Sequence, residues 1–187
     1  VTDVAAISEL SYSDDQTVEE ARVSLVQKIG ENIQIRRVEV LEGANIAAYR
    51  HGLRIGVVVS YEGGSEETGK NLAMHIAAFN PVAVDDESVD ADVLAREKDI
   101  IEAKAKESGK PDNIVEKMIE GGLRKYLDEV TLLRQPYVMN NEKKVGDVLK
   151  SEGVKVLGFK RLEVGEGIEK KQEDFAAEVA ATQAANK

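Results

Sequence analysis

The sequence predicts an α+β fold. It is read as two related α/β subdomains, the first incomplete, with an inserted antiparallel coiled-coil hairpin and a helix at the C-terminal end. Three observations lead there. A nine-residue block occurs twice, as Ile35–Gly43 and Phe159–Gly167, with five positions identical. Both copies alternate apolar and charged residues, as a half-buried strand does, and both leave through Glu-Gly. A strand ending that recurs so far along a chain points to one unit used twice. Second, two polar stretches with thin apolar seams, 91–107 and 112–130, are parted only by Ser108-Gly109-Lys110-Pro111. That short break makes them an antiparallel helical hairpin. Third, hydrophobic residues are 42% but aromatic residues only 4%, with no Trp, so the core is aliphatic.

Each element has its own signal. Thr17–Ile29 reads as a helix, with Val18, Ala21, Val23, Leu25, Val26 and Ile29 at roughly three- and four-residue spacing. Gly30 is its expected C-cap, because glycine enters the left-handed region without steric cost. Asn32–Leu41 is the first repeated strand. Arg50–Tyr61 is a second strand, closed by Gly63-Gly64. Glu67–Phe79 is a helix packing through Leu72, Met74, Ile76 and Ala77, and Pro81 stops it.

After the acidic connection 82–90 come the two hairpin helices. Val93, Leu94, Ile100 and Ile101 form one seam, and Val115, Met118, Ile119, Leu123, Tyr126 and Leu127 the other. Pro111 and Asp112 suit a helical first turn. A seam this narrow covers one partner only, so the hairpin is expected to project, by roughly 25 Å. Thr131–Met139 reads as irregular, Lys144–Ser151 as a short helix and Val154–Val164 as the second repeated strand. Gln172–Ala185 reads as a final helix with Phe175, Val179 and Thr182 on one face. The polar stretch Ser8–Gln16 has no room for a strand and a helix. The first subdomain is therefore expected to lack half its elements, which upstream sequence would supply.

Composition narrows the function. The net charge of −10 opposes nucleic acid and anionic membrane. No apolar run approaches the ~20 residues of a membrane span. The lack of cysteine removes disulfides and thiolate metal sites and fits a cytoplasmic setting. No signal peptide is visible, although the chain starts at Val1 without Met.

Gly64-Ser65-Glu66-Glu67-Thr68-Gly69-Lys70 matches most of a phosphate-binding P-loop. The next residue is Asn71 where Ser or Thr should hold Mg²⁺, and two glutamates would repel phosphate, so a structural turn is expected. His51 and His75 are the only histidines and are expected to hold no metal. His75, between Met74 and Ile76, reads as packed or partly exposed. His51, before Gly52, reads as a surface contact. No acid–base pair or nucleophilic triad is specified, so no catalytic residue and no cofactor are expected. Ile29-Gly30 and Pro136-Tyr137-Val138-Met139 place apolar or small groups at a helix end and a loop, where docking surfaces are often found.

Several of these segments resemble the bacterial elongation factor Ts family. They are Lys28-Ile29-Gly30-Glu31-Asn32-Ile33 with Ile35-Arg36-Arg37, Tyr49-Arg50-His51-Gly52 with Arg54-Ile55-Gly56-Val57, Met74-His75-Ile76-Ala77-Ala78 and Gly109-Lys110-Pro111. Gln135-Pro136-Tyr137-Val138-Met139, Glu163 through Lys170, and Phe175-Ala176-Ala177-Glu178-Val179 complete the set, in order along essentially the whole chain.

The resemblance implies a guanine-nucleotide exchange factor that binds elongation factor Tu and promotes GDP release during translation elongation, without covalent chemistry. It implies that Ile29, Gly30 and His51 contact the nucleotide-binding domain of Tu. Val138 and Met139 would contact a distal domain, and the helix bearing Phe175 and Val179 would dock on the nucleotide domain. It implies a division into 1–44 (partial core subdomain), 45–83 with 131–167 (second core subdomain), 84–130 (hairpin) and 168–187 (terminal helix). The family also carries an N-terminal helical domain and a Thr-Asp-Phe motif intruding near the magnesium site. Thr2-Asp3-Val4 imitates that motif but lies too near Lys28–Ile33 and has Val4 in place of Phe. The alternative is a structural module that forms a homodimer through the hairpin and has no exchange role.

Overall fold

The structure, a computed structural model, describes residues 3–168. The chain begins with a short helix α1 (Val4–Ser8) and a small hairpin, β1 (Ser11–Ser13) with β2 (Gln16–Thr17). α2 (Val18–Ile29) follows, then β3 (Asn45–His51), β4 (Ile55–Glu62) and α3 (Glu66–Phe79). Next come α4 (Ala91–Glu107) and α5 (Asp112–Val130), then β5 (Pro136–Tyr137), β6 (Asn140–Lys144), α6 (Val145–Glu152) and β7 (Lys155–Glu163). Helices beside antiparallel sheets make the class α+β, as expected.

The centre is the antiparallel sheet β3-β4-β7. Its register pairs Ala47 with Val59 and Tyr49 with Val57 on one side, and Val59 with Phe159 on the other. The period of two sends Ala47, Val57, Val59, Tyr61 and Val156 to one face. There they meet Leu72, Ala73, Ile76 and Ala77 of α3, and Val145, Val148 and Leu149 of α6 close the same core. Val59, Leu72 and Ile76 are fully buried, and each contributes roughly 1.5–3 kcal/mol of burial.

The glycines of the P-loop-like stretch have structural causes. Gly64 has φ +66°, and a Cβ there would lie 2.3 Å from Val154 Cγ2. A Cβ on Gly69 would lie 2.5 Å from the Tyr61 ring. The small residues thus let α3 settle on β4 and β7 on the turn before it. Ser65 caps α3 by accepting from the Thr68 N–H at 3.1 Å. Thr68 Oγ1 in turn donates to Glu152 Oε2 at 2.6 Å, tying α3 to α6.

The hairpin helices have the residue ranges the seams predict. Gly122 brings them close, since a Cβ there would lie 2.6 Å from Ile101 Cγ2. The root is closed by backbone bonds: Val82 N–H to Val130 O at 2.9 Å, Leu132 N–H to Ala83 O at 2.9 Å, and Leu133 N–H to Val84 O at 3.1 Å. Arg134 adds ion pairs to Asp86 and Asp128.

Three expectations need correction. Asn32–Leu41 is not a strand: no backbone–backbone hydrogen bond among the described residues involves 31–43. A strand needs a ladder, and here the alternating sequence has none to join. The segment instead lies along the outer face of the sheet. It is held by Glu39 on Lys160 at 3.0 Å and by Arg37 on Glu166 at 2.6 Å. Leu41 lies over Gly158, and Gly43 sits against Ser60. Next, the single strand expected over Arg50–Tyr61 is the second half of a hairpin. The chain reverses at Gly52 (φ +58°), so β3 precedes the turn and His51 ends a strand instead of starting one. Finally, Thr131–Met139 is not wholly irregular, since Leu132–Arg134 forms a 3-10 turn and Pro136–Tyr137 forms β5. The helix expected over Gln172–Ala185 lies outside the described residues.

Gly69→Ala should destabilise the protein by about 1–3 kcal/mol, because the methyl group meets the held Tyr61 ring. Gly121→Ala on α5, with nothing within 4 Å, should instead be neutral or stabilise by up to ~1 kcal/mol. Urea unfolding of the two variants checks the opposite signs.

Candidate partner-binding surface

The helix α2 is well terminated but poorly buried. A capping box joins Thr17 and Glu20: the Thr17 N–H donates to Glu20 Oε2 at 2.8 Å, and the Glu20 N–H donates to Thr17 Oγ1 at 3.2 Å. At the far end Gly30 is left-handed (φ +80°), and its N–H reaches Val26 O at 2.8 Å. None of its residues is fully buried. Ile29 is 51% exposed at the very end, and a Cβ on Gly30 would meet nothing within 4 Å. An apolar side chain next to a bare backbone allows close approach by another protein.

The chain leaving Gly30 turns toward the β3–β4 turn. Arg22 of α2 donates to Ile33 O at 2.8 Å and anchors the exit. Residues 33–37, Arg50, Leu53–Gly56 and 162–165 line a shallow cavity of about 380 Å³. Ile29, Gly30 and His51 are not among the residues lining that cavity; His51 is next to its Arg50 edge in the chain. The His51 imidazole is exposed and is oriented by Tyr49, whose hydroxyl lies 3.1 Å from Nδ1. Arg37 holds the Glu166 carboxyl below the usual carboxylate range by a direct hydrogen bond.

Val138 and Met139 sit elsewhere, in the turn between β5 and β6 on the α3 side of the sheet. Met139 is 57% exposed, whereas Val138 is half-buried against the core. Beneath them lies His75, which the sequence alone allows to be packed or partly exposed. His75 is fully buried, stacks on Phe79 at 4.6 Å and bonds with both ring nitrogens. Burial pushes its pKa down, against a smaller opposing effect of its hydrogen bond to Gln135. The available clue was that Met74–Ala78 and Gln135–Met139 both belong to the resembling segments. Spacing alone did not show that they touch. Asp3, the acid of the Thr-Asp-Val imitation, is occupied as the N-cap of α1, accepting from Ala5 N–H at 3.0 Å. Phe175 and Val179 lie outside the described residues. No helix among the described residues is long and apolar enough to cross a membrane.

The described residues form an α+β core with apolar and small groups exposed at a helix end and a loop tip, and a helical hairpin fixed at its root. Comparison with known proteins makes the class specific. A family model described as Elongation factor TS matches residues 1–166. The chain is 92% identical over 188 residues to Elongation factor Ts of Psychrobacter arcticus, covering 100% of this chain and 64% of that protein. It is 65% identical over 187 residues to Elongation factor Ts of Acinetobacter baumannii, again covering 100% of this chain and 64% of that protein. The chain belongs to the elongation factor Ts family, and it spans somewhat less than two thirds of the length of these relatives.

Burial of a neutral His75 makes stability pH-dependent. The unfolded chain binds a proton near pH 6.5, and the folded chain only at lower pH. Stability to urea should therefore be unaffected by this group above about pH 6.5 and should fall as pH drops below it, toward the lowered folded pKa. Urea midpoints measured at half-unit steps from about pH 8 to about pH 5 check the sign.

Proposed function

We propose that this chain binds elongation factor Tu and promotes release of GDP from it, through protein–protein contacts alone. The observation that carries the reading is the exposure of small and apolar groups at both candidate positions. Ile29 beside the bare Gly30, and Met139 at the β5–β6 turn, are open to a partner at the positions where the family resemblance implies contact. His51, held by Tyr49 beside the β3–β4 turn, offers an oriented polar group for the contact with the nucleotide-binding domain. Val138 contributes through its half-buried side chain, which shapes the turn under Met139.

The mechanism is linkage. A factor that prefers nucleotide-free Tu to GDP-bound Tu lowers the affinity of Tu for GDP by the same ratio. No bond is made or broken, so no acid, base or metal of this chain takes part. GTP can then bind and displace the factor. The cycle runs where ribosomes translate, in the cytoplasm. We divide the chain correspondingly into 1–44, a core of 45–83 with 131–167, the hairpin 84–130 and the terminal segment 168–187. Phe175 and Val179 of that last segment are proposed as a further contact with the nucleotide domain.

The direct test is release of a fluorescent GDP from bacterial elongation factor Tu with and without the chain. Faster release supports exchange. Unchanged release together with tight binding to nucleotide-free Tu reduces the reading to a binder. Failure of both overturns it. Met139→Asp should weaken Tu binding by roughly 10- to 100-fold in calorimetry, with the unfolding midpoint unchanged. Val138→Asp is expected to weaken binding too, but also to lose stability, because half of that side chain is in the core.

A further inference from the structure

The ring of His75 has a defined proton arrangement. Val138 N–H donates to Nδ1 at 3.2 Å, so Nδ1 carries the lone pair and the proton sits on Nε2. Nε2–H then donates to Gln135 Oε1 at 2.9 Å. With its oxygen so engaged, Gln135 uses its amide nitrogen to donate to Glu129 O at 2.7 Å and, more weakly, to Phe79 O at 3.5 Å. The donors run in one direction: Val138 to His75, His75 to Gln135, Gln135 to Glu129. The path starts at the β5–β6 turn and ends in the last turn of α5, at the hairpin root.

A packed apolar ring would fill the same volume next to Phe79 and Tyr137. It would leave the Val138 N–H and the Gln135 amide oxygen without partners, which is costly in a dry site. The polar connectivity is therefore the specific content of this position.

We propose that His75, acting through Gln135, is a positioning residue that holds the Val138–Met139 turn in its docking conformation and fixes it to the base of the α4–α5 hairpin. This rests on the reading of that turn as a contact with elongation factor Tu. Titratable groups on the surrounding elements are Glu67 and Lys70 on α3, Asp128 and Glu129 on α5, Arg134 in the 3-10 turn, Tyr137 on β5 and Lys144 on β6. None of these side chains hydrogen-bonds the imidazole. Arg134, Asp128 and Lys144 are engaged with one another. Protonation of the ring would turn Nδ1 into a donor facing the donor of Val138, so the turn would have to leave.

Two substitutions separate the two bonds. An asparagine amide reaches the place of Nδ1 and can still accept from Val138. A glutamine amide reaches the place of Nε2 and can bond only Gln135. His75→Asn should keep the Val138 amide protected from hydrogen exchange and keep the Kd for Tu within about threefold. His75→Gln should lose that protection and weaken binding by about tenfold or more, at comparable loss of global stability. Equal weakening in both variants, in step with stability, would overturn the proposal, as would full Val138 protection in His75→Gln. Met139→Asp runs alongside: unchanged affinity there sinks the docking reading alone, while Val138 exchange still decides the positioning. If neither histidine variant folds, long-range ¹⁵N spectra of the wild-type imidazole at neutral pH decide instead. A bare Nδ1 with a protonated Nε2 is expected, and the opposite tautomer would refute the arrangement.

Discussion

The structure depends on one packing contact, the seating of α3 on the inner face of β3-β4-β7. Tyr61 lies over Gly69, and Val57 and Val59 face Leu72 and Ile76. With few aromatic residues, this aliphatic interface is the main source of burial. The other elements are referred to it. α6 is tied to the start of α3 by the Thr68–Glu152 bond, and the β5–β6 turn is tied to its middle by His75. The hairpin is closed at its root by Arg134 and the 82–84/130–133 backbone bonds.

Such a core explains how a strongly acidic domain can place apolar groups in solvent. The inner sheet face and α3 are self-sufficient, so Ile29 and Met139 can remain exposed without loosening the fold. Long helices with one narrow seam work in the same way. α4 and α5 satisfy each other along Ile101 and Gly122 and ask nothing of the body except at their base.

Much of this was legible in the sequence, where the physics is local. The helices α2, α3, α4, α5 and α6 follow from spacing, caps and breakers, because side chains three and four apart share a face. Gly30 as a C-cap follows from its freedom at positive φ. The failures were non-local. The Ile33–Leu41 alternation is a strand pattern without a neighbouring ladder, and no single segment reveals whether a partner exists. The β3–β4 reversal was hidden because His51-Gly52-Leu53-Arg54 lacks the usual Asn-Gly or Asp-Gly signal. The meeting of His75 with Gln135 spans 60 residues, a distance that periodicity cannot see. Of the candidate surface, the exposed Ile29 and Met139 were readable as apolar groups at helix ends and loops. The buried support beneath Val138 was not.

The stretch 31–43 has a mechanical meaning. It joins α2 to the sheet through side chains only: Arg22 on the Ile33 carbonyl, Arg36 and Arg37 on Glu166, and Glu39 on Lys160. Opening it breaks those exposed attachments and no backbone ladder, so it belongs to the low end of local unfolding free energies. The span between Ile29 and Met139 is therefore set by a strap and not by a beam. A helix carried on such a strap can change its distance from the sheet while the core beneath stays packed.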